Sequence, residues 1–157
     1  MDGFAGLSYE QVVREYGQTV ASVCVMRLRS RADAEDCFQN VFLKLLRKSP
    51  NFCDESHLKA WLIRVAINEC KNYLRDNCRT VSLDALSREP VAFDEEGSDL
   101  SWALMKLPDK YREALYLFYA ERYTVAEISA ILGKNQNTVK TLLRRGREKL
   151  REIYGEE

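Results

Sequence analysis

No stretch of the chain alternates apolar and polar residues as a half-buried strand would, and no run approaches about 18 uncharged apolar residues, the length needed to cross a membrane. There is one histidine and no Cys-x-x-Cys pair. The five cysteines (Cys24, Cys37, Cys53, Cys70, Cys78) are odd in number and scattered along apolar helix faces, the pattern of reduced core thiols rather than of a zinc site. No metal and no cofactor are expected. Cys53 and Cys78 lie in polar surroundings and are the more reactive candidates. The first residues, MDGFAGLSYEQ, lack a basic segment followed by an apolar run, so a secretory signal is not expected and a cytoplasmic protein is. No pairing of nucleophile, base and oxyanion donor is found, so the chain does not read as an enzyme. Net charge is absent too, with 24 basic residues against 24 acidic.

That neutrality is unevenly made. From Lys134 to Arg151 seven basic residues face one acidic, Glu148, whereas Asp84, Glu89, Asp94, Glu95, Glu96 and Asp99 sit between 80 and 101 with Arg88 alone. The basic stretch falls inside TVAEISAILGKNQNTVKTLLRRGREKL (124–150), which reads as a helix-turn-helix. Thr124 with Glu127 is a capping box. Val125, Ile128, Ile131 and Leu132 share a face, and Gly133 stands where a helix stops in a left-handed conformation. Asn135 or Asn137 caps a second helix whose buried stripe is Val139, Leu142, Leu143, Gly146 and Leu150. Lys140, Thr141, Arg144, Arg145 and Arg147 are left to face outward, a pattern that suits the DNA major groove. Few phosphates can be neutralised by one such helix, so binding to free DNA should be weak and a protein partner should supply affinity.

Elsewhere the apolar period is helical. Ser8 with Gln11 opens a first helix, buried through Val12, Val13, Tyr16, Val20, Val23, Cys24 and Leu28. Arg29-Ser30-Arg31 reads as a turn, and Asp33 with Asp36 as the start of a second helix carrying Cys37, Phe38, Val41, Phe42, Leu45 and Leu46. A polar loop, 49–56, holds Phe52. A third helix, about 57–77, is buried through Leu58, Trp61, Leu62, Val65, Ala66 and Cys70. Opposite the Trp61 face, Arg64, Asn68, Lys71, Asn72 and Arg75 recur at spacings of three and four. Asn can bond both donor and acceptor edges of an unstacked base, and Lys or Arg can hold phosphates. Periodicity lapses over the acidic segment 80–100, with Pro90 and Gly97, and resumes at Leu100, Trp102, Leu104, Met105 and Leu107. A further helix from about Asp109 carries Tyr111, Ala114, Leu115, Phe118 and Tyr119. The expected architecture is all-α, two small helical domains at 1–79 and 101–157 joined by an acidic linker, without internal repeat.

These features together resemble the bacterial RNA polymerase sigma factors of the extracytoplasmic-function group, which keep the second and fourth sigma domains. DAEDCFQNVFLKLLRK (33–48) is similar to the segment that grips the clamp helices of the polymerase largest subunit. WLIRVAINECKNYLR (61–75) is similar to the segment that opens and reads the −10 promoter element. LPDKYREALYLFY (107–119) with 124–150 resembles the domain that reads the −35 element.

The resemblance implies polymerase contacts at Asp33, Asp36, Gln39, Asn40 and Leu43; many family members carry an acid where this chain has Asn40. It implies −10 contacts at Phe52, Arg64, Asn68, Lys71, Asn72 and Arg75, with Phe52 and Asn68 at positions that hold a flipped base. It also implies −35 contacts at Lys140, Thr141, Arg144 and Arg145, joined by Arg147 on the outward side and, at the helix start, by Gln136, Asn137 and Thr138. Core polymerase, promoter DNA and an anti-sigma protein are the implied partners of a monomer. The linker reads either as a nucleic-acid mimic in a basic channel or as a solvated spacer. From sequence Phe52 reads either as the wall of a base pocket or as a plug of the core. Three rivals stand beside this reading. A stand-alone helix-turn-helix regulator would dimerise on duplex DNA and leave the 64–75 stripe without purpose. The others are a cysteine-based sensor and a pure interaction protein.

Overall fold

The computed structural model describes residues 4–28, 30–77 and 103–155. Arg29, Cys78, the acidic segment 80–100 and Trp102 lie outside the described residues. Among the described residues there is no strand, only an isolated bridge between Phe4 and Leu7. Contacts divide the chain into two compact units, Met1–Val91 and Ala92–Glu157.

The first unit is a three-helix bundle of α1 (Tyr9–Leu28), α2 (Arg31–Lys48) and α3 (Glu55–Asn77). α1 begins at the expected capping box: the Ser8 hydroxyl accepts the Gln11 amide at 3.2 Å, and the Gln11 side chain accepts the Ser8 amide at 2.8 Å. α2 begins earlier than expected. Ser30, in extended backbone, is its cap and accepts the Asp33 amide, so Asp33 lies in the first turn and not at the start. α2 ends at Ser49, in a left-handed conformation before Pro50. Asp54 caps α3, its carboxylate accepting the His57 amide at 2.8 Å.

Each helix packs against the other two. A helix with two neighbours buries a wider arc than a single apolar stripe, which is why Met26, Ile63 and Ile67 join the core. Val13, Tyr16, Trp61 and Val65 sit at the edges of those arcs and are half-buried. Leu46, placed in the apolar stripe by its period, is instead 47% exposed. Cys24, Cys37 and Cys70, one from each helix, meet in the interior. The Cys70 thiol is hydrogen-bonded to both others; those bonds, with burial, push its pKa far up. A thiol held protonated without solvent access, as Cys70 is, makes a poor nucleophile. Cys53 is exposed.

In the second unit residues 103–105 are helical and are followed by α4 (Asp109–Leu115), α5 (Val125–Leu132) and α6 (Gln136–Gly155). The turn before α4 is held by a fully buried Arg112, whose guanidinium donates to the Leu107 carbonyl at 2.6 Å and pairs with the Asp109 carboxylate. α4 runs into a π-helical turn, Tyr116–Ala120. The wider turn rotates the apolar phase: Tyr116 and Leu117 are buried, whereas Phe118 is half-exposed and Tyr119 is 49% exposed. A 3.6-residue period had placed Phe118 and Tyr119 inward.

Candidate nucleic-acid interface

The helix-turn-helix is built as its residues dictate. Thr124 and Glu127 close a reciprocal capping box on α5, at 3.2 and 2.9 Å. Ile128 and Ile131 are buried, and Gly133 ends the helix at φ 68°. The Lys134 amide then donates to the Ser129 carbonyl at 3.1 Å, and the Ser129 hydroxyl returns a bond to the Lys134 carbonyl. Of the two candidate caps it is Asn135 that opens α6, accepting the Thr138 amide at 2.8 Å. Val139, Leu142, Leu143 and Gly146 turn inward. Gly146 allows close approach to α4; a Cβ there would stand 3.0 Å from Leu115 Cδ1.

With that face buried, Gln136, Asn137, Thr138, Lys140, Arg144 and Arg145 are exposed and Thr141 is half-exposed. The Thr141 hydroxyl donates to the Asn137 carbonyl at 3.0 Å, leaving its lone pairs and methyl outward. The Thr138 amide is taken by the cap, so this residue offers an anion its hydroxyl and not its N–H.

Arg147 is the departure. Its Nε donates to the Tyr119 hydroxyl at 2.7 Å, and its guanidinium lies 5.4 Å from the Phe118 ring centre and 5.7 Å from that of Tyr119. A guanidinium held over two rings sits at the seam between the π turn and α6, to the side of the face that carries Lys140, Arg144 and Arg145. With Leu115, Tyr119, Leu150, Arg151 and Tyr154 it lines an apolar groove of about 380 Å³. Leu150, expected in the core, is half-buried along that groove.

On α3, Arg64, Asn68, Asn72 and Arg75 are exposed and Lys71 half-buried, so the polar stripe exists on the surface. Its relation to Trp61 is not the expected one. At ~100° per residue, Trp61 and Asn68 lie within about 20° of one line along the helix. The tryptophan therefore heads the stripe instead of opposing it. Phe52 neither plugs the core nor stands free. It is half-buried, packed edge-on at 5.7 Å against Trp61 and at 5.2 Å against His57, whose Nδ1 accepts the Cys53 amide at 3.1 Å. The loop and the helix thus bring Phe52, Trp61 and His57 together at the end of the row that carries Arg64 and Asn68. An aromatic wall beside exposed amides can receive an unstacked base.

On α2, Asp36, Gln39, Asn40 and Leu43 are exposed along one face, continued by Leu46; the two leucines are 45% and 47% exposed. Between α1 and α2 a groove of about 370 Å³ is lined by Tyr9, Val13, Phe38, Gln39, Phe42 and Leu43. Two neighbouring exposed leucines with flanking amides have the chemistry of a surface that a protein partner could cover. Asp33 is not part of it. It is 7% exposed, and its carboxylate accepts the Tyr73 hydroxyl at 2.5 Å. Residue type and position in the second helix pointed to a partner contact, but the acid faces inward.

Sequence reasoning missed Trp61 and Leu46 as surface residues because it assigned every apolar residue near the stripe to the core. For Trp61 the spacing of seven to Asn68 carried the missing signal.

Comparison with known proteins agrees with this geometry. Residues 12–80 match sigma-70 region 2, and residues 100–150 match sigma-70, region 4. The RNA polymerase sigma factor CarQ of Myxococcus xanthus is 30% identical, the match covering 95% of this chain and 90% of that one. The ECF RNA polymerase sigma factor SigW of Bacillus subtilis is 28% identical, over 92% of this chain and 87% of that one. Among solved structures, the sigma factor RpoE of Bartonella quintana, crystallised with the anti-sigma factor NepR, superposes with a TM-score of 0.79 at 28% identity, covering 94% of this chain and 96% of that one. The described residues include no helix long and apolar enough to cross a membrane. The chain belongs to the sigma-70 family of RNA polymerase sigma factors, in its extracytoplasmic-function group.

Proposed function

We propose that this sigma factor binds core RNA polymerase through the exposed face of α2, reads and parts the −10 element with α3 and its preceding loop, and reads the −35 element with α6. One observation carries the division: the two DNA-facing surfaces have different chemistry. α3 presents an aromatic wall and two amides, Asn68 and Asn72, among three cations, suited to unstacked bases and the backbone of a single strand. α6 presents clustered cations on a propped helix, suited to the major groove of a duplex. The stripe on α3 has no use in a stand-alone duplex-binding regulator.

The residue assignments follow from exposure. The −35 set is Lys140, Thr141, Arg144 and Arg145, with Gln136, Asn137 and Thr138 toward the phosphates; Arg147 steadies the helix from the side. The −10 set is Phe52, Arg64, Asn68, Lys71, Asn72 and Arg75, with Trp61 added. The polymerase set is Asp36, Gln39, Asn40 and Leu43, with Leu46 added and Asp33 removed. The matched ranges support separating a region-2 domain at 1–79 from a region-4 domain at 101–157, with 80–100 as the tether. The protein acts as a monomer, in the cytoplasm where core polymerase works. It is not an enzyme itself and takes no cofactor. Before release it is covered by an anti-sigma protein on surfaces such as the apolar groove between α1 and α2, a reading supported by the NepR complex of its structural relative.

The test is run-off transcription with purified protein, bacterial core polymerase and fragments of the host genome. Core-dependent starts that share paired upstream elements are the expected result. Tight binding of duplex DNA by the protein alone, with no core-dependent transcripts, would overturn it.

A further inference from the structure

The last two turns of α3 project beyond the packed core. Its buried residues run from Leu58 to Cys70; after that Asn72, Arg75 and Asp76 are exposed, and Tyr73 and Leu74 are only half-buried. Seven residues beyond Cys70 span roughly 10 Å at 1.5 Å per residue. Apolar packing cannot fix the direction of such an overhang. Hydrogen bonds spaced along the helix do. Near its start, Glu55 accepts the Tyr16 hydroxyl of α1 at 2.9 Å, with partial burial and the carboxylate raising that phenol to about 12. In the middle, Glu69 pairs with Lys44 of α2. At the overhang, Tyr73 donates to the buried Asp33 carboxylate at 2.5 Å. Asp33 is itself held in the first turn of α2, its amide bonded to the Ser30 cap. An acid at that place is favoured by the helix dipole.

We propose that Asp33 and Tyr73 are positioning residues for promoter opening: their hydrogen bond aims the projecting end of α3, with Asn72 and Arg75, at the parted strand. The inference rests on the reading of α3 as the −10 helix. It gives the acid of the second helix a role inside the bundle, distinct from polymerase contact. Hydrogen bonds to a charged acceptor are among the stronger ones, and a small angular error at the helix base is magnified at its tip.

The test compares Tyr73→Phe, which deletes one hydroxyl and little volume, with Asp33→Ala and with Asp33→Asn, which keeps an oxygen acceptor. Run-off is measured on a duplex promoter and on the same promoter with a mismatched, already parted −10 segment; core binding and thermal unfolding are followed alongside. Tyr73→Phe should lower duplex run-off about tenfold, the weight of one charge-assisted hydrogen bond. On the parted template its loss should shrink to about twofold or less, with core affinity unchanged, and Asp33→Asn should recover most of what Asp33→Ala loses. Equal losses on both templates, a fall in core affinity, or no loss at all would each overturn the proposal. If Tyr73→Phe fails to fold, the contrast between Asp33→Asn and Asp33→Ala decides. Absence of core-dependent transcripts with the wild-type protein would instead sink the sigma reading, and the proposal with it.

Discussion

α3 and α6 are both long and exposed along one side, and both meet DNA in the proposed function, yet they are supported and furnished differently. α6 leans on α4 through Gly146 and is entered from a capped α5 across Gly133, so its whole outward face is held at a set angle. Its outward face groups Lys140, Arg144 and Arg145 within two turns. α3 is buried along its first four turns, and its less buried end is bonded to α2 through Tyr73. Its outward row carries two amides, Asn68 and Asn72, among Arg64, Lys71 and Arg75, headed by the half-buried Trp61. A helix that docks as a unit into a preformed groove needs rigidity and charge. A helix that receives single bases as they leave the stack needs flat surfaces and two-sided hydrogen bonders.

If that contrast is right, the two faces should fail in different ways. The largest effect should come from Arg144→Ala with Arg145→Ala. Each such contact is worth about 1–3 kcal/mol, so run-off from a promoter with an intact −35 element should fall roughly 100-fold. Asn68→Ala should cost about tenfold, and a mismatched −10 segment should restore little, since a base contact is missing and not merely the opening. That outcome separates it from Tyr73→Phe, whose loss the parted template should repair. Arg147→Ala should cost no more than about threefold in −35-dependent run-off, because the side chain stacks on Phe118 and Tyr119; its mark should be a lowered melting temperature of the C-terminal unit. A loss equal to that of Arg145→Ala would return Arg147 to the reading face.

Local features were the ones legible beforehand. The capping boxes at Ser8 and Thr124, the stop at Gly133 and the inward stripe of α6 from Val139 to Gly146 depend on nearby residues, and each stands where the chain alone placed it. The outward sets on α2, α3 and α6 followed from the same periodicity, apart from Asp33, Trp61 and Arg147. Asp33 and Asp36 imitate a helix start, but Ser30 competes for the same role, and the contest is settled by Tyr73, 40 residues away. Arg147 was assigned by its charge and position on α6, and its partner Tyr119 lies 28 residues back. Trp61 was sorted by residue type into the core, although its angular position put it with Asn68. The fourth error, Phe118 and Tyr119, arose from a π turn that no apolar period announces. What escaped, then, was long-range pairing, one change of helical pitch, and the outward side of apolar residues such as Trp61 and Leu46.

The division of labour between the helices can be tested directly by crossing protein variants with promoter variants. Run-off is measured for wild type, Arg145→Ala and Asn68→Ala on templates with an intact promoter, a scrambled −35 element or a scrambled −10 element. Arg145→Ala should lose most of its effect once the −35 element is scrambled and keep it when the −10 element is. Asn68→Ala should show the reverse. Defects that are the same on every template would contradict the account, since neither helix would then be reading the element assigned to it.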